Sequence, residues 1–224
     1  MRNLQKLAEP DILATNHVVW LEQYRADKTN STKKNRYRHK EIKQQLKDET
    51  GHKCVYCESK IGHNTPGDIE HKIPSSKDEN QHFVWFNLTI ACTECNRRKN
   101  DYYVVGNEFL DPYSDDVEGM LEHHGPLVYW KSANVRAETT IRTLELNGYS
   151  RQQLIERKIN KIEEFNNLIE RFLSNSGALK MLLWRQIEEM IDKKSEYSAM
   201  LLETVEKKGI TSQSTRTSLR SAGV

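Results

Sequence analysis

Two cysteine pairs, Cys54-Val-Tyr-Cys57 and Cys92-Thr-Glu-Cys95, contain all four cysteines of the chain and decide how its middle folds. Each CxxC turn places two sulfurs on one side of a tight knuckle, and four thiolates can hold one tetrahedral zinc ion. Because 34 residues separate the pairs, the zinc would clamp the base of an inserted unit. Four thiolates leave no open coordination position, so the pattern predicts a structural zinc.

Composition limits the kinds of protein that this chain can be. Hydrophobic residues make up 36% of the 224 residues and charged residues 29%, and this length can bury a core without disulfides. The sequence has no apolar run of about 18 residues that would span a membrane, and residues 1–6 lack the apolar core of a signal peptide. These features predict a cytoplasmic protein with no membrane partner, where paired CxxC motifs favour metal over disulfides.

A basic segment precedes the cysteine block. Residues 25–53 contain ten Lys or Arg against four Asp or Glu, although the net charge of the whole chain is only +2. Such a segment can neutralise phosphates, or it can be a solvated helix face. The candidate nucleic-acid-binding residues are Lys33, Lys34, Arg36 and Arg38, with Arg97, Arg98 and Lys99 after the last cysteine.

The block between the cysteine pairs contains Asp68-Ile-Glu70-His71-Lys-Ile-Pro74. A lone histidine in a predicted strand is usually structural. An imidazole near its normal pKa can also take a proton from water at neutral pH, which suits a water that attacks a phosphodiester. Glu70 would then be the carboxylate ligand of a hard cation such as Mg²⁺.

Two asparagines complete the candidate site. Asn87 opens a predicted strand, where its amide either closes a loop by bonding to the backbone or holds and polarises the His71 ring through its carbonyl oxygen. Asn96 lies in the first turn of a predicted helix, as a plain helix-start residue or as an oxygen ligand of the cation beside Glu70. One such metal would stabilise the charge on the phosphate and on the leaving 3′-oxygen.

These residues resemble the HNH endonucleases, whose ββα-metal fold places a hairpin and a helix around one divalent ion. The three positions that name the family match His71, Asn87 and Asn96. The resemblance implies that His71 is the general base and that Asn96 ligates Mg²⁺ or Mn²⁺. The family commonly has a metal-ligating Asp directly before the first histidine. Glu70 stands there in this chain, which leaves Asp68 as a substitute ligand. A regular strand would point Glu70 and His71 to opposite faces, so the two can share a site only if the strand twists or if the metal lies at its edge.

Shorter stretches are similar to the PtuB family, the nuclease subunits of Septu-type and retron-associated anti-phage systems. The stretches are residues 1–6 with Glu9-Pro10, residues 68–71, residues 110–116 and residues 140–147. This resemblance implies phage-triggered cleavage of DNA by a nuclease that a PtuA-like ATPase gates.

The overall prediction is an α+β, mostly helical fold with a small ββα-metal core. The predicted regions are an N-terminal helical region at 1–51, the nuclease core at 52–105, a loop-rich connection at 106–136, a C-terminal helical region at 137–210 and a disordered tail at 211–224. Apolar residues at helical spacing predict two long helices after Ser150, the second continuing through Leu201. Ser150 and Gln153 have the spacing of a capping box. The apolar stripes either pack on each other or form a homodimer interface.

Two functions from different classes follow from these residues. The first is a metal-dependent DNA endonuclease, and the alternative is a non-catalytic, zinc-stabilised nucleic-acid-binding module. The residues do not discriminate DNA from RNA, because the chemistry addresses a phosphodiester and a basic patch reads no sugar.

Overall fold

Short antiparallel hairpins lie among longer helices in the computed structural model, which describes residues 1–62 and 66–210. The helices are α1 (Asp11–Ala26), α2 (Ser31–Lys34), α3 (Lys40–Thr50), α4 (Thr93–Lys99), α5 (Val117–Met120), α6 (Val135–Thr143), α7 (Gln152–Ser174), α8 (Gly177–Ile191) and α9 (Ser198–Lys207). The strands are β1 (Asp68–His71), β2 (Leu88–Ala91), β3 (Leu121–His124) and β4 (Leu127–Trp130). The predicted α+β, mostly helical class is confirmed. The tail predicted to be disordered lies outside the described residues.

The β1–β2 hairpin and α4 form the ββα unit that the cysteine block predicts. β1 and β2 pair antiparallel, with Asp68 opposite Ala91 and His71 opposite Leu88. Helix α3 packs on β2, and α4 packs on β1. The hydrophobic effect stabilises this unit, because Ile90 in β2 and Leu46 in α3 are fully buried within it.

The N-terminal residues run across the surface of this unit rather than forming part of a helix. Leu4 N donates to the carbonyl of Pro112, and the Lys6 ammonium contacts the Glu49 carboxylate and the carbonyl of Leu88. These contacts join the start of the chain to α3, β2 and the segment after α4.

The segment 106–136, predicted as mostly loop with one strand at 127–130, contains α5 and a second hairpin, β3–β4. β3 carries Leu121-Glu-His-His124, a polar sequence with little strand signal of its own. Tertiary contacts stabilise the hairpin. The Asn147 amide clamps the backbone of Val128, accepting from its N–H at 2.9 Å and donating to its carbonyl at 2.6 Å.

The C-terminal region departs from its prediction in two places. α8 ends at Ile191 and α9 begins at Ser198, so the expectation of one helix through Leu201 is wrong. Tyr197 lies in the left-handed region (φ 55°), and its hydroxyl contacts Ser59 Oγ at 3.0 Å. The chain breaks here because it turns to meet the first cysteine knuckle.

The predicted capping box at Ser150 does not form. The Ser150 hydroxyl donates to the Glu145 carboxylate and accepts from Arg98, and α7 begins at Gln152 without a side-chain cap. The Ser150 hydroxyl bonds to two charged side chains outside α7, so it does not cap the helix.

The apolar stripes of α7 and α8 pack on each other through buried residues that include Phe165, Phe172, Leu183 and Ile187. Leu173 at the end of α7 and Leu182 within α8 stay exposed, and the homodimer interface stays a prediction. No helix within residues 1–62 and 66–210 combines the length and apolarity that crossing a membrane requires.

Gly51 ends α3 in the left-handed conformation, with φ of 66°. A Cβ at this position would collide with the Cβ and the carbonyl oxygen of Lys194, in the link between α8 and α9. Gly51 therefore lets the C-terminal region approach the end of α3.

We expect Gly51→Ala to lower the free energy of unfolding by about 1–2 kcal/mol for the left-handed backbone, and by about 1–3 kcal/mol more for the overpacking against Lys194. Gly125→Ala is the matched control, because Gly125 has a φ of 60° and nothing within 4 Å of an added Cβ. Urea denaturation of both variants measures the difference. Equal losses would contradict a contact role for Gly51.

Candidate active site

The four cysteine sulfurs converge at the base of the β1–β2 hairpin. All four Sγ atoms lie within 4.8 Å of one another, and the Cys57 and Cys92 sulfurs are 3.8 Å apart. A tetrahedral zinc with Zn–S bonds of about 2.3 Å separates its sulfurs by about 3.8 Å. The cluster of Cys54, Cys57, Cys92 and Cys95 therefore fits the zinc that the sequence predicts.

Groups around the sulfurs suit a negatively charged tetrathiolate. The buried Arg151 guanidinium lies 3.5 and 3.7 Å from Cys95 Sγ through its two terminal nitrogens. Ser59 Oγ lies 3.3 Å from Cys57 Sγ, and the N–H of Cys95 donates to Cys92 Sγ at 3.4 Å. Donors of this kind stabilise thiolates and orient the ligands of a metal. Arg151 directly precedes α7, so it also joins the C-terminal region to the zinc centre.

The ring of His71 is oriented by a backbone carbonyl. His71 Nε2 lies 2.9 Å from the carbonyl oxygen of His82. Because a carbonyl only accepts, Nε2 carries the hydrogen, and Nδ1 of the neutral ring carries the lone pair. Nδ1 makes no hydrogen bond to any residue that the structure describes, so it can accept a proton from water.

The surroundings of His71 favour its neutral form. Burial lowers the pKa of His71 to about 4, and the nearby His82, Lys99 and Arg38 add to the effect. A neutral imidazole at pH 7 is the form that a general base requires, but a pKa this far below 7 makes the ring a weaker base than the near-normal imidazole that the sequence predicts.

The side chain of Glu70 points to the face of β1 opposite the side chain of His71, as the alternation of a regular strand requires. Glu70 is buried against α4, with 3% of the residue exposed. Its carboxylate lies 2.5 Å from the Lys99 ammonium. Burial raises the pKa of Glu70 to about 7, although Lys99 favours the charged form. The Lys99 ammonium also donates to the His71 carbonyl at 2.8 Å, so it contacts both residues of the Glu-His pair.

Asn96 lies one helical turn before Lys99, on the same side of α4. The Glu70–Lys99 pair places this side of the helix against β1. A carboxylate and an amide oxygen are ligands that Mg²⁺ uses in proteins, so Glu70 and Asn96 have the chemistry to hold a divalent ion. Asp68, the substitute ligand, shares the Glu70 face of the strand.

Lys99 itself is not free to bind a phosphate. Only 2% of the residue is exposed, and its ammonium is paired with Glu70. The prediction that Lys99 contacts flanking phosphates is therefore wrong. The sequence shows a run of basic residues after the last cysteine, but it does not show that the last of them pairs with a buried carboxylate.

Asn87 closes a loop rather than holding the His71 ring. Its Oδ1 accepts from the N–H of Ile73 at 2.8 Å, and its Nδ2 donates to the carbonyls of Ile73 and Gln81 at 2.9 and 3.0 Å. The expectation that its carbonyl oxygen bonds to His71 is wrong, and the loop-closing alternative is the one observed. Asn87 acts on the site indirectly, by joining the end of β1 to the segment that carries His82.

His82 is the residue that sequence reasoning missed. It lies in Gln81-His82-Phe83, outside every motif that points to chemistry, and its carbonyl contacts the His71 ring. The signal that could have found it is the presence of a second histidine, after His71, between β1 and Asn87.

The basic segment also contacts the rings of His71 and His82. The Tyr37 ring contacts the His71 ring edge-on at 4.6 Å between centroids, and the Lys34 carbonyl accepts from His82 Nε2 at 2.8 Å. Lys34 and Arg38 are exposed, whereas Arg36 contacts Gln23 and Lys33 pairs with Asp27.

The other predicted basic contacts lie on α4. Arg97 is exposed and pairs with Glu94. Arg98 pairs with both Glu94 and Glu145, so it is less available to a phosphate than Arg97.

A cleft of about 300 Å³ lies beside β2 and the segment after α4, and His71 does not line it. Its wall includes Lys72, Thr89, Lys99, Tyr113 and Arg136. The charges there are paired within the protein, Lys72 with Asp111 and Arg136 with Asp115.

Residues 54–102 match the HNH endonuclease family. The match begins at the first cysteine ligand and spans the β1–β2 hairpin and α4. The resemblance that the sequence motifs carry is thereby confirmed for this domain. An HNH domain implies a divalent metal in addition to the zinc that the four cysteines can bind.

The chain as a whole is similar to two proteins named Septu protein PtuB. The first, from Bacillus mycoides (strain KBAB4), is 26% identical over 235 aligned residues, which cover 88% of this chain and 79% of that protein. The second, from Bacillus thuringiensis, is 25% identical over 170 residues, which cover 70% of this chain and 65% of that protein. The similarity to PtuB thus extends well beyond the HNH domain.

We expect Cys57→Ser to lose the zinc and to unfold the HNH domain, because structural zinc contributes about 10–16 kcal/mol of apparent binding free energy in zinc-finger peptides. Elemental analysis of the purified protein gives the zinc content, and circular dichroism gives the fold. Ser59→Ala is the control, since it removes a hydrogen bond to Cys57 Sγ and leaves every ligand in place. A folded Cys57→Ser protein with a full equivalent of zinc would contradict the assignment.

Proposed function

We propose that this chain is a metal-dependent endonuclease that hydrolyses phosphodiester bonds in DNA, with His71 as the general base. The observation that carries the proposal is the His71 ring inside an HNH domain. Its Nε2–H is bonded to the His82 carbonyl, which leaves the lone pair of the neutral ring on Nδ1. Water deprotonated at Nδ1 would attack the phosphorus, and the leaving 3′-oxygen would take a proton from solvent.

Glu70 and Asn96 would hold the divalent ion, Mg²⁺ or Mn²⁺, with Asp68 as the substitute for Glu70. Because Glu70 and His71 point to opposite faces of β1, the ion would lie at the edge of the strand, where it can approach both side chains. When bound, this ion would supply positive charge that stabilises the phosphate and the leaving oxygen. The chain's own residues prepare the place. The Lys99 ammonium pairs with the Glu70 carboxylate and donates to the backbone carbonyl of His71, and a zinc on the four cysteines would fix the start of the helix that carries Asn96.

Exposed basic side chains support a nucleic-acid substrate. Lys34 and Arg38 lie on the segment that contacts the His71–His82 pair, and Arg97 lies on α4. Phosphate contacts of this kind position a strand without reading its sequence. Digestion of matched DNA and RNA strands under identical conditions would test the choice of DNA.

The similarity to two PtuB proteins supports a role in anti-phage defence. We infer that the chain is a cytoplasmic nuclease subunit that works with a PtuA-like ATPase. Co-expression with an ATPase encoded beside the gene, followed by pull-down and a nuclease assay of each protein alone and together, tests this inference. A nuclease that neither binds nor responds to that ATPase would contradict it.

One observation favours the alternative of a non-catalytic, zinc-stabilised nucleic-acid-binding module. Lys99 already neutralises the buried Glu70, which lowers the need for a cation there. Gel-shift binding of DNA without cleavage in Mg²⁺ or Mn²⁺, with every partner present, would establish this alternative.

We expect His71→Ala to keep its zinc and its fold but to cleave plasmid DNA about 10²- to 10⁴-fold more slowly, the usual contribution of a general base. Plasmid nicking in Mg²⁺ or Mn²⁺ measures the rate. His17→Ala is the control, since His17 lies on α1 and its ring contacts the Leu13 carbonyl of the same helix. Undiminished cleavage by His71→Ala would remove His71 as the base.

We expect Arg38→Gln to weaken DNA binding and to reduce the slope of log affinity against log salt by about 1, as the loss of one phosphate contact requires. Lys208→Gln removes an exposed charge at the end of α9 and is the matched control. Fluorescence anisotropy at several salt concentrations gives both slopes. An unchanged slope for Arg38→Gln would assign the basic segment to the solvated surface.

A further inference from the structure

His82 is buried in the middle of a stack of rings that ends at the catalytic histidine. Only 2% of the residue is exposed. Its ring lies parallel to the His71 ring, at 4.9 Å between centroids and 7° between planes, and its other face stacks on Tyr24 at 4.5 Å. Tyr37 contacts both imidazoles edge-on.

Hydrogen bonds at both ring nitrogens fix the rotation of the His82 ring. Nε2 lies 2.8 Å from the Lys34 carbonyl, so Nε2 carries the hydrogen. Nδ1 then has the lone pair and accepts from the Ser75 hydroxyl. A neutral ring with one donor and one acceptor satisfies both partners, and neither bond would survive a flip of the ring.

The same residue contacts His71 twice. Its backbone carbonyl accepts from His71 Nε2, and its ring covers one face of the His71 ring. Because the side chain of His82 is anchored to Lys34 and Ser75, its own backbone carbonyl is held in place as well. Without that carbonyl, the His71 ring would be free to rotate or to carry its proton on Nδ1, and it could then no longer take a proton from water at that atom.

We propose that His82 is a positioning residue for His71. It selects the Nε2–H tautomer of the His71 ring and holds Nδ1 ready to accept a proton, and through Lys34 it ties this geometry to the basic segment. The role of His71 as a base rests on the proposed function, whereas the tautomer and orientation of the ring do not.

His82→Phe separates positioning from core filling. Phenylalanine keeps a flat ring for the Tyr24 and His71 stack but removes both hydrogen bonds of the side chain. We expect the variant to keep its zinc and its fold, and to lose about 10- to 100-fold in kcat with little change in KM for DNA, as outer-shell partners of active-site histidines do.

His123→Phe is the matched control. His123 is also buried and bonds through its ring to Glu203 on α9, but it does not contact the His71 ring stack. A loss of kcat in His82→Phe alone supports positioning. An equal loss in both variants would reduce His82 to a residue that stabilises the fold.

The tautomer of His71 can be read directly, whether or not the protein cleaves DNA. ¹⁵N NMR of histidine-labelled protein distinguishes a protonated ring nitrogen from one with a lone pair, and the His71→Ala spectrum assigns the signals. We expect a single Nε2–H form of His71 in the native protein and a mixture of both forms in His82→Phe.

Ser75→Ala provides a second variant if His82→Phe fails to fold. It removes only the hydrogen bond to His82 Nδ1, and we expect a smaller shift toward the mixed tautomer and a smaller loss of kcat. An unchanged His71 spectrum and unchanged kcat in both variants would overturn the proposal. An inactive native protein whose His71 tautomer still depends on His82 would contradict the nuclease function and leave the positioning role supported.

Discussion

The convergence of four sulfurs within 4.8 Å is the constraint on which the rest of the site depends. The first pair lies before β1 and the second pair after β2, so a zinc ion would join both ends of the inserted hairpin. Cys92 and Cys95 also begin α4, and this fixes the rotation of a short helix that has little stability of its own. The side of α4 that carries Asn96 and Lys99 faces β1 for this reason.

The two cysteine pairs and the residues beside them also anchor the C-terminal region. Lys53 and Glu58 form a buried ion pair at 2.7 Å, and the Lys53 ammonium also donates to the Ser195 carbonyl at 2.9 Å. With Arg151 on Cys95 and Tyr197 on Ser59, these contacts place α7 and α9 on the zinc centre. Buried charges such as these are costly without hydrogen-bond partners, so moving Ser195 away from the Lys53 ammonium would be unfavourable. The contacts therefore select one position for the C-terminal helices.

Local signals predicted the parts of this structure that local chemistry determines. The cysteine spacing predicted the zinc cluster, and the strands and α4 lie where the motif placed them. Contacts between distant residues determine the rest. Tyr197 meets Ser59 across 138 positions of sequence and breaks a helix that looked continuous, and Ser150 bonds to charged partners in place of capping α7. The same holds in the site, where Asn87, Lys99 and His82 take roles that follow from which backbone carbonyl or carboxylate lies nearby.

The Glu70–Lys99 pair gives the acidic side of the site an internal counter-charge. A charged carboxylate buried this deeply is unfavourable without a counter-charge. Without Lys99, Glu70 would take up a proton whenever no metal ion is bound. With the Lys99 ammonium beside Glu70, the hairpin and α4 can pack against each other before a hard cation binds. Among the described residues, Arg151 is the one charged side chain in contact with the thiolate cluster, so a metal ion there would be needed while the chain folds. The two metals would thus be acquired in sequence, the soft one during folding and the hard one afterwards by a finished scaffold.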